Sequence, residues 1–87
     1  MFRNLGAEVY QTWDDARRRE EIGRLVEGSR SGLPVEILCA MATAIAGSQK
    51  KARKVLSSFM SLEERQDVAA RGAQEPESRK LVRSVLL

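Results

Sequence analysis

The sequence of 87 residues contains no histidine and only one cysteine, Cys39. Without histidine, a His-based catalytic triad is excluded, and so are most sets of zinc ligands. One cysteine cannot form an internal disulfide, and its apolar neighbours predict a reduced, buried thiol without an activating partner. We therefore expect a protein that is not an enzyme and that holds no metal ion and no cofactor.

Long apolar runs are also missing. The most apolar segment, residues 37–47, is about half as long as the roughly 20 residues that a membrane span requires. Residues 1–6 lack the charged start and apolar stretch of a secretory signal. These absences predict a cytoplasmic location and no membrane partner.

Proline and glycine are few and divide the chain into segments. No stretch alternates apolar and polar residues as a half-buried strand does, whereas apolar residues recur at helical spacing. Helix-start and helix-stop residues then set the boundaries, and Gly28–Gly32 is expected to be a loop. The chain is predicted to be a single all-α domain, residues 1–87, forming a small bundle of four to five helices at about 3–27, 34–46, 49–60, 62–71 and 76–86.

The segment from Val35 to Ala46 is apolar on nearly every side. Only Glu36 and Thr43 are polar, and both fall on one narrow edge of the helix. A helix that is apolar all round is normally surrounded by protein. We expect this to be the central helix of the bundle, enclosed on all sides except for a thin polar edge towards solvent.

The first segment carries apolar residues on two nearly opposite faces. One stripe contains Phe2, Leu5, Val9, Trp13 and Ala16, and the other contains Ile22, Leu25 and Val26. Either one long helix presents two faces, or the helix breaks near Thr12, where Thr12 and Asp15 form a capping signature for a restart at Trp13. Since one small core does not readily cover two faces, a homodimer is a further hypothesis.

The excess of three positive charges lies in one part of the chain. Residues 1–33 and 61–87 are each balanced, whereas residues 34–60 carry four basic residues and one acid, and residues 49–60 carry no acid. In a helix over 49–60, one face holds Ala52, Val55, Leu56 and Phe59, and the other holds Lys50, Lys51, Arg53 and Lys54. This basic face is either a site for nucleic acid or an acidic partner, or a solvated surface that keeps the protein soluble.

A second candidate contact is formed by Tyr10, Trp13 and Arg17, which lie three and four residues apart. These residue types are enriched in interface hot spots, and Arg17 can stack on Trp13. The alternative is that Trp13 is a core residue whose edge Arg17 covers. The following arginines are expected to form ion pairs with acids three or four residues away, Arg18 with Asp14 and Arg19 with Asp15.

Two functional hypotheses follow. The first is a non-enzymatic interaction protein, a small regulator, adaptor or inhibitor that binds a protein partner through Lys50, Lys51, Arg53 and Lys54 and through Tyr10. The second is a DNA-binding regulator, because residues 38–59 contain a helix, a short glycine turn and a basic helix. Aligning Gly47 with the turn glycine of a helix-turn-helix motif, however, puts Ser48 and Arg53 at positions that are usually apolar and buried.

Overall fold

The computed structural model describes residues 9–72 and 76–87, and in these residues it contains helices and no strands. The predicted all-α fold is confirmed. Residues 9–11 are helical, and the part of the first stripe formed by Phe2 and Leu5 lies outside the described residues. Five helices follow in the described chain: α1 (Asp15–Arg30), α2 (Val35–Ala46), α3 (Gln49–Phe59), α4 (Leu62–Gly72) and α5 (Pro76–Leu86).

The helical conformation is interrupted between residue 11 and the start of α1. Of the two predicted alternatives, the helix that breaks near Thr12 is therefore the correct one. The Thr12 hydroxyl donates to the Val9 carbonyl oxygen at 2.7 Å. The cap of α1 is Asp14, whose carboxylate accepts the Arg17 backbone N–H at 2.8 Å. The second helix therefore begins at Asp15, directly after its cap. The predicted cap at Thr12 is wrong, because the Thr12 hydroxyl is already hydrogen-bonded to the preceding turn.

The predicted loop at 28–32 is wrong at residues 28–30, because α1 continues to Arg30. The Leu33 backbone N–H donates to the Gly28 carbonyl oxygen at 2.8 Å, and Gly32 has a φ of 120°. This is the closure of a Schellman motif, in which a glycine beyond the helix end takes a left-handed conformation. Gly32, and not Gly28, is the glycine that ends the helix.

The central position of α2 is confirmed, because α2 packs against each of the other four helices. Leu38, Ala42 and Ile45 are buried between them. The prediction that α2 is enclosed on all sides is wrong, since Ile37 is 44% exposed and Met41 is 38% exposed. Four short neighbours cover one face of a helix and leave the opposite face in water.

The exposed side of α2 is an apolar strip, not the expected polar edge. Its members lie at helical spacing, and Glu36 and Thr43 are half-buried beside them, the Thr43 hydroxyl donating to the Cys39 carbonyl oxygen at 2.7 Å. We call this surface the α2 strip; it consists of Ile37, Ala40, Met41 and Ala44.

The remaining helices close the core with the apolar faces that their spacing predicts. Gly72 allows close packing of α4 on α2, since a Cβ at this position would lie 2.5 Å from the Val35 Cβ. The other buried side chains of the core are Ile22, Val26, Cys39, Ala46, Ala52, Leu56, Met60, Val68, Ala69, Val82, Val85 and Leu86.

Candidate contact surface

The basic face lies on α3, and the residues just before α3 determine where this helix begins. Gly47 ends α2 with a φ of 98°, and the Ser48 hydroxyl caps α3 by accepting the Lys51 backbone N–H at 3.1 Å. The predicted boundary between the helices at 34–46 and 49–60 is confirmed. Burial of Ala52 and Leu56 fixes the rotation of α3 about its axis, because these residues lie in the core. The opposite side, which faces solvent, carries Lys50, Lys51, Arg53 and Lys54.

No described residue neutralises these four side chains. Within residues 9–72 and 76–87, no ion pair and no side-chain hydrogen bond involves them. Lys50 and Lys54 lie four residues apart, a spacing at which like charges repel and weaken a helix. Lys50 and Lys51 also occupy the first turn, where the helix dipole disfavours cations. The arrangement costs stability, and an external anion would relieve that cost.

Four arginines elsewhere in the described chain are paired with carboxylates. Arg17 pairs with Glu21 at 3.3 Å, and Arg24 bridges Glu20 and Glu21. Further pairs join Arg30 to Glu27 and Glu64, and Arg71 to Asp67.

The arginines that flank α3 are an exception that the sequence analysis missed. Arg18 donates to three carbonyl oxygens: Tyr10 at 2.7 Å, Trp13 at 3.1 Å and Ala46 at 3.4 Å. The expected Asp14–Arg18 pair is wrong, because Asp14 caps α1. Arg18 thus has no carboxylate partner in the described chain, and it holds the residue 10–13 segment against the end of α2.

The charges of Arg19 and Arg65 are likewise not offset by a carboxylate of the described chain. The Arg19 guanidinium carbon lies 5.0 Å from the centre of the Phe59 ring, so the expected Asp15–Arg19 pair is wrong as well. Arg65, on α4, donates to the carbonyl oxygens of Met60 and Leu86 at 3.3 and 3.2 Å. No carboxylate among the described residues pairs with either arginine, so positive charge continues from α3 onto both neighbouring helices.

Two shallow grooves run along α3. One, of about 320 Å³, lies between α1 and α3 and is lined by Arg19, Lys51 and Lys54 among others. The second lies on the other side of α3, is also about 320 Å³, and is lined by Lys50, Arg53, Lys54, Ser57, Arg65 and Leu87. Lys54 borders both grooves, so the basic face forms a ridge between them.

The side chains of the second candidate contact lie together, although not on one helix face as their spacing predicts, because residues 12–14 are not helical. The ring centres of Tyr10 and Trp13 are 4.9 Å apart, and the Arg17 guanidinium carbon lies 4.5 Å from the Trp13 ring centre. Both rings are half-buried and pack against the core, and Arg17 is exposed and paired with Glu21. The core role of Trp13 and a contact role for Tyr10 are compatible in this arrangement.

Cys39 is fully buried in α2. Loss of hydration raises the pKa of its thiol to about 12, and the nearby Glu36 charge acts in the same direction. The thiol is therefore protonated at neutral pH and is not a nucleophile in the folded protein. The part of the chain described also contains no group of three or more cysteine, aspartate or glutamate residues placed to hold a metal ion.

No helix in the described residues has both the length and the apolar character needed to cross a membrane. Neither a family model, nor a curated protein, nor a solved structure matches this chain. Among the described residues, the exposed side of α3 carries four cations and no acid.

Proposed function

We propose that this protein is a non-enzymatic interaction protein that binds an acidic surface of a protein partner through the basic face of α3. The observation that carries the proposal is that four exposed cations, Lys50, Lys51, Arg53 and Lys54, have no carboxylate partner in the described chain. Arg17, Arg24, Arg30 and Arg71 are paired with acids, whereas the charge of the basic face is available to an incoming group. Such a protein acts as a regulator, adaptor or inhibitor by occupying its partner's surface.

The flanking arginines strengthen the case for one continuous site. Arg18 and Arg65 are held by backbone carbonyl groups, which fix their guanidinium groups without cancelling the charge. These two held arginines lose less conformational freedom on binding than mobile lysines do, which favours affinity. Charge complementarity of this kind also speeds association, and the effect weakens as salt screens it.

DNA binding by α3 is the alternative that the helix–turn–helix order of α2 and α3 suggests. Ser48 caps α3 and Arg53 is exposed, whereas a helix-turn-helix motif packs apolar side chains at these positions. The cations also have no aromatic residue among them on which a base would stack. These two departures favour an acidic protein surface as the partner.

The test compares two double charge reversals with the same change in net charge. Lys50→Glu with Lys54→Glu removes the basic face, and Lys80→Glu with Arg83→Glu changes exposed residues of α5. Wild type and both variants are immobilised, and proteins captured at low salt from a lysate of the native cells are identified by mass spectrometry. We expect a partner that wild type and the α5 variant retain and that the α3 variant loses, with affinity at least about tenfold weaker.

Identical capture by all three proteins would remove the basic face as the contact. Mixed-sequence duplex DNA provides the second arm, in an electrophoretic shift at about 50 mM salt. A shift that only the α3 reversal abolishes, without any captured protein, would replace the proposed function by DNA binding.

A further inference from the structure

The groove between α1 and α3 differs from its counterpart on the other side of α3, because apolar residues line it as well as cations. Ala46 and the half-buried Val55 border the groove, and the fully buried Ile22 lies at its floor. The groove beside α4 is lined by polar and charged side chains and by Leu87. Of the two grooves beside α3, the one next to α1 therefore combines an apolar floor with a charged rim.

The rim is positive overall. Arg19, Lys51 and Lys54 border the groove without a carboxylate partner in the described chain, and Arg18 stands beside them. Asp15 is the single acid among the lining residues. A ligand that enters thus meets apolar surface below and several cations at the edge.

We propose that this groove receives one large apolar side chain of an acidic protein segment, whose carboxylates pair with Arg19, Lys51 and Lys54. The inference rests on the proposed function and names the kind of segment that the basic face binds. About 320 Å³ is at the small end of the range for protein ligand sites, which suits one anchoring side chain. Anchors seated in pockets and surrounded by charged contacts carry much of the affinity in protein interfaces.

The walls of the groove are rigid enough to receive an anchor. Next to it, α1 and α3 touch directly, since a Cβ on Gly23 would lie 3.0 Å from the Phe59 ring. The Arg19 guanidinium stacks over the same ring. The Arg18 hydrogen bond to the Ala46 carbonyl oxygen fixes the end of α2 beside the groove. A site built on packed helices needs little rearrangement to bind.

Two synthetic peptides of about a dozen residues test the inference. Both are glutamate-rich and identical except that one carries a central phenylalanine where the other carries serine. Binding to wild type is measured by fluorescence anisotropy at low salt. We expect the phenylalanine peptide to bind about tenfold more tightly, because burial of one large apolar side chain contributes a factor of that size.

Variants of Val55 test whether the tighter binding of the phenylalanine peptide arises in this groove. Val55→Phe fills the groove and leaves every cation in place, so it is expected to abolish the gain from phenylalanine and to preserve binding of the serine peptide. Val55→Gln, which replaces apolar lining by a polar group, is expected to give the same result with less bulk. Ser58→Phe adds the same ring to an exposed part of α3 outside the groove and serves as the matched control, with the gain retained.

The possible failures are distinguishable. If wild type binds both peptides equally, the apolar anchor is wrong and the basic face stands. If the gain survives in both Val55 variants, the anchor sits elsewhere and the groove assignment is wrong. If neither peptide binds, the proposed function and the inference fail together. Duplex DNA that binds more tightly than either peptide and is blocked by Val55→Phe would assign the groove to nucleic acid and overturn the inference.

Discussion

Arg30 and Glu64 form a two-point ion pair that joins the end of α1 to the first turn of α4. The Arg30 Nε donates to Oε2 and Nη2 donates to Oε1, both at 2.9 Å. Ser61 caps α4 by accepting the Glu64 backbone N–H at 3.1 Å. In a capping box the glutamate side chain returns to the cap residue. Here it reaches a distant helix, so a local signal has become a tertiary contact.

This ion pair makes stability depend on pH. Hydrogen bonding from Arg30 is the main reason that the pKa of Glu64 lies below its ordinary value of 4.5. A carboxylate whose pKa is lowered by folding stabilises the protein above its unfolded pKa and loses that contribution as the pH falls through the folded pKa. We expect the free energy of unfolding, measured in urea, to decline below pH 4.5. Glu64→Gln is expected to flatten that decline.

Glu63→Gln is the control for the pH series, since Glu63 is exposed on the same turn. Its decline with pH is expected to match that of wild type. Because the Arg30–Glu64 pair is partly solvated, Glu64→Gln is expected to lower the free energy of unfolding only slightly at neutral pH. An unchanged slope in Glu64→Gln would contradict the role given to this pair.

Neighbouring residues of α2 are expected to differ strongly in their effect on stability. Leu38 is fully buried and Ile37 is 44% exposed. Leu38→Ala leaves a cavity and is expected to lower the free energy of unfolding by about 2–5 kcal/mol. Ile37→Ala is expected to cost less than about 1 kcal/mol, because most of the removed surface already contacts water. Equal losses in chemical denaturation would mean that the α2 strip is covered in solution.

Two glycines are expected to respond to alanine in opposite directions. A Cβ on Gly72 would lie 2.5 Å from the Val35 Cβ, so Gly72→Ala forces α4 away from α2 and is expected to cost about 1–3 kcal/mol. On Gly28 the nearest atom, in Leu33, is 3.6 Å away. Gly28→Ala removes backbone freedom from the unfolded chain and is expected to stabilise the protein by about 0.5–1 kcal/mol.

A second substitution checks the cause of the loss at Gly72. Val35→Ala makes room for the added methyl group, so the double variant is expected to be less destabilised than the sum of the single changes. Thermal unfolding of the four proteins gives this coupling directly. Strict additivity would show that the close approach of the two residues is not the reason.

Arg18 is expected to matter more to stability than Arg19, which stands next to it. Arg18→Met removes donors from the carbonyl groups of Tyr10, Trp13 and Ala46 and is expected to cost about 1–3 kcal/mol. Arg19→Met removes a cation–π contact with Phe59, worth less than about 1 kcal/mol. Urea denaturation measures both, and a red shift of Trp13 fluorescence in Arg18→Met alone would report release of its segment. Equal costs would contradict the bracing role.

Features that depend on a few consecutive residues were predictable from the sequence. Gly47 and Ser48 set the turn before α3 because a left-handed glycine and a hydroxyl cap act within one helical turn. Pro76 likewise begins α5. The two faces of α3 follow from the same spacing of apolar residues, so the basic face was found before the fold was known.

Features that depend on residues distant in the sequence were not predictable from the sequence. Arg18 has acids at helical spacing, and only the fold brings the Ala46 carbonyl oxygen close enough to compete for it. The length of apolar sequence in α2 does not reveal that the four other helices cover one side, and this is why Ile37 was expected inside.

The sole thiol of the chain belongs to the helix that touches all the others, and solvent does not reach it. A thiol-modifying reagent can therefore attack Cys39 only while the core is transiently open. The rate of modification, compared with that of a free thiol, gives the free energy of that opening without any introduced probe. Cys39 therefore serves as a built-in probe of transient opening of the core.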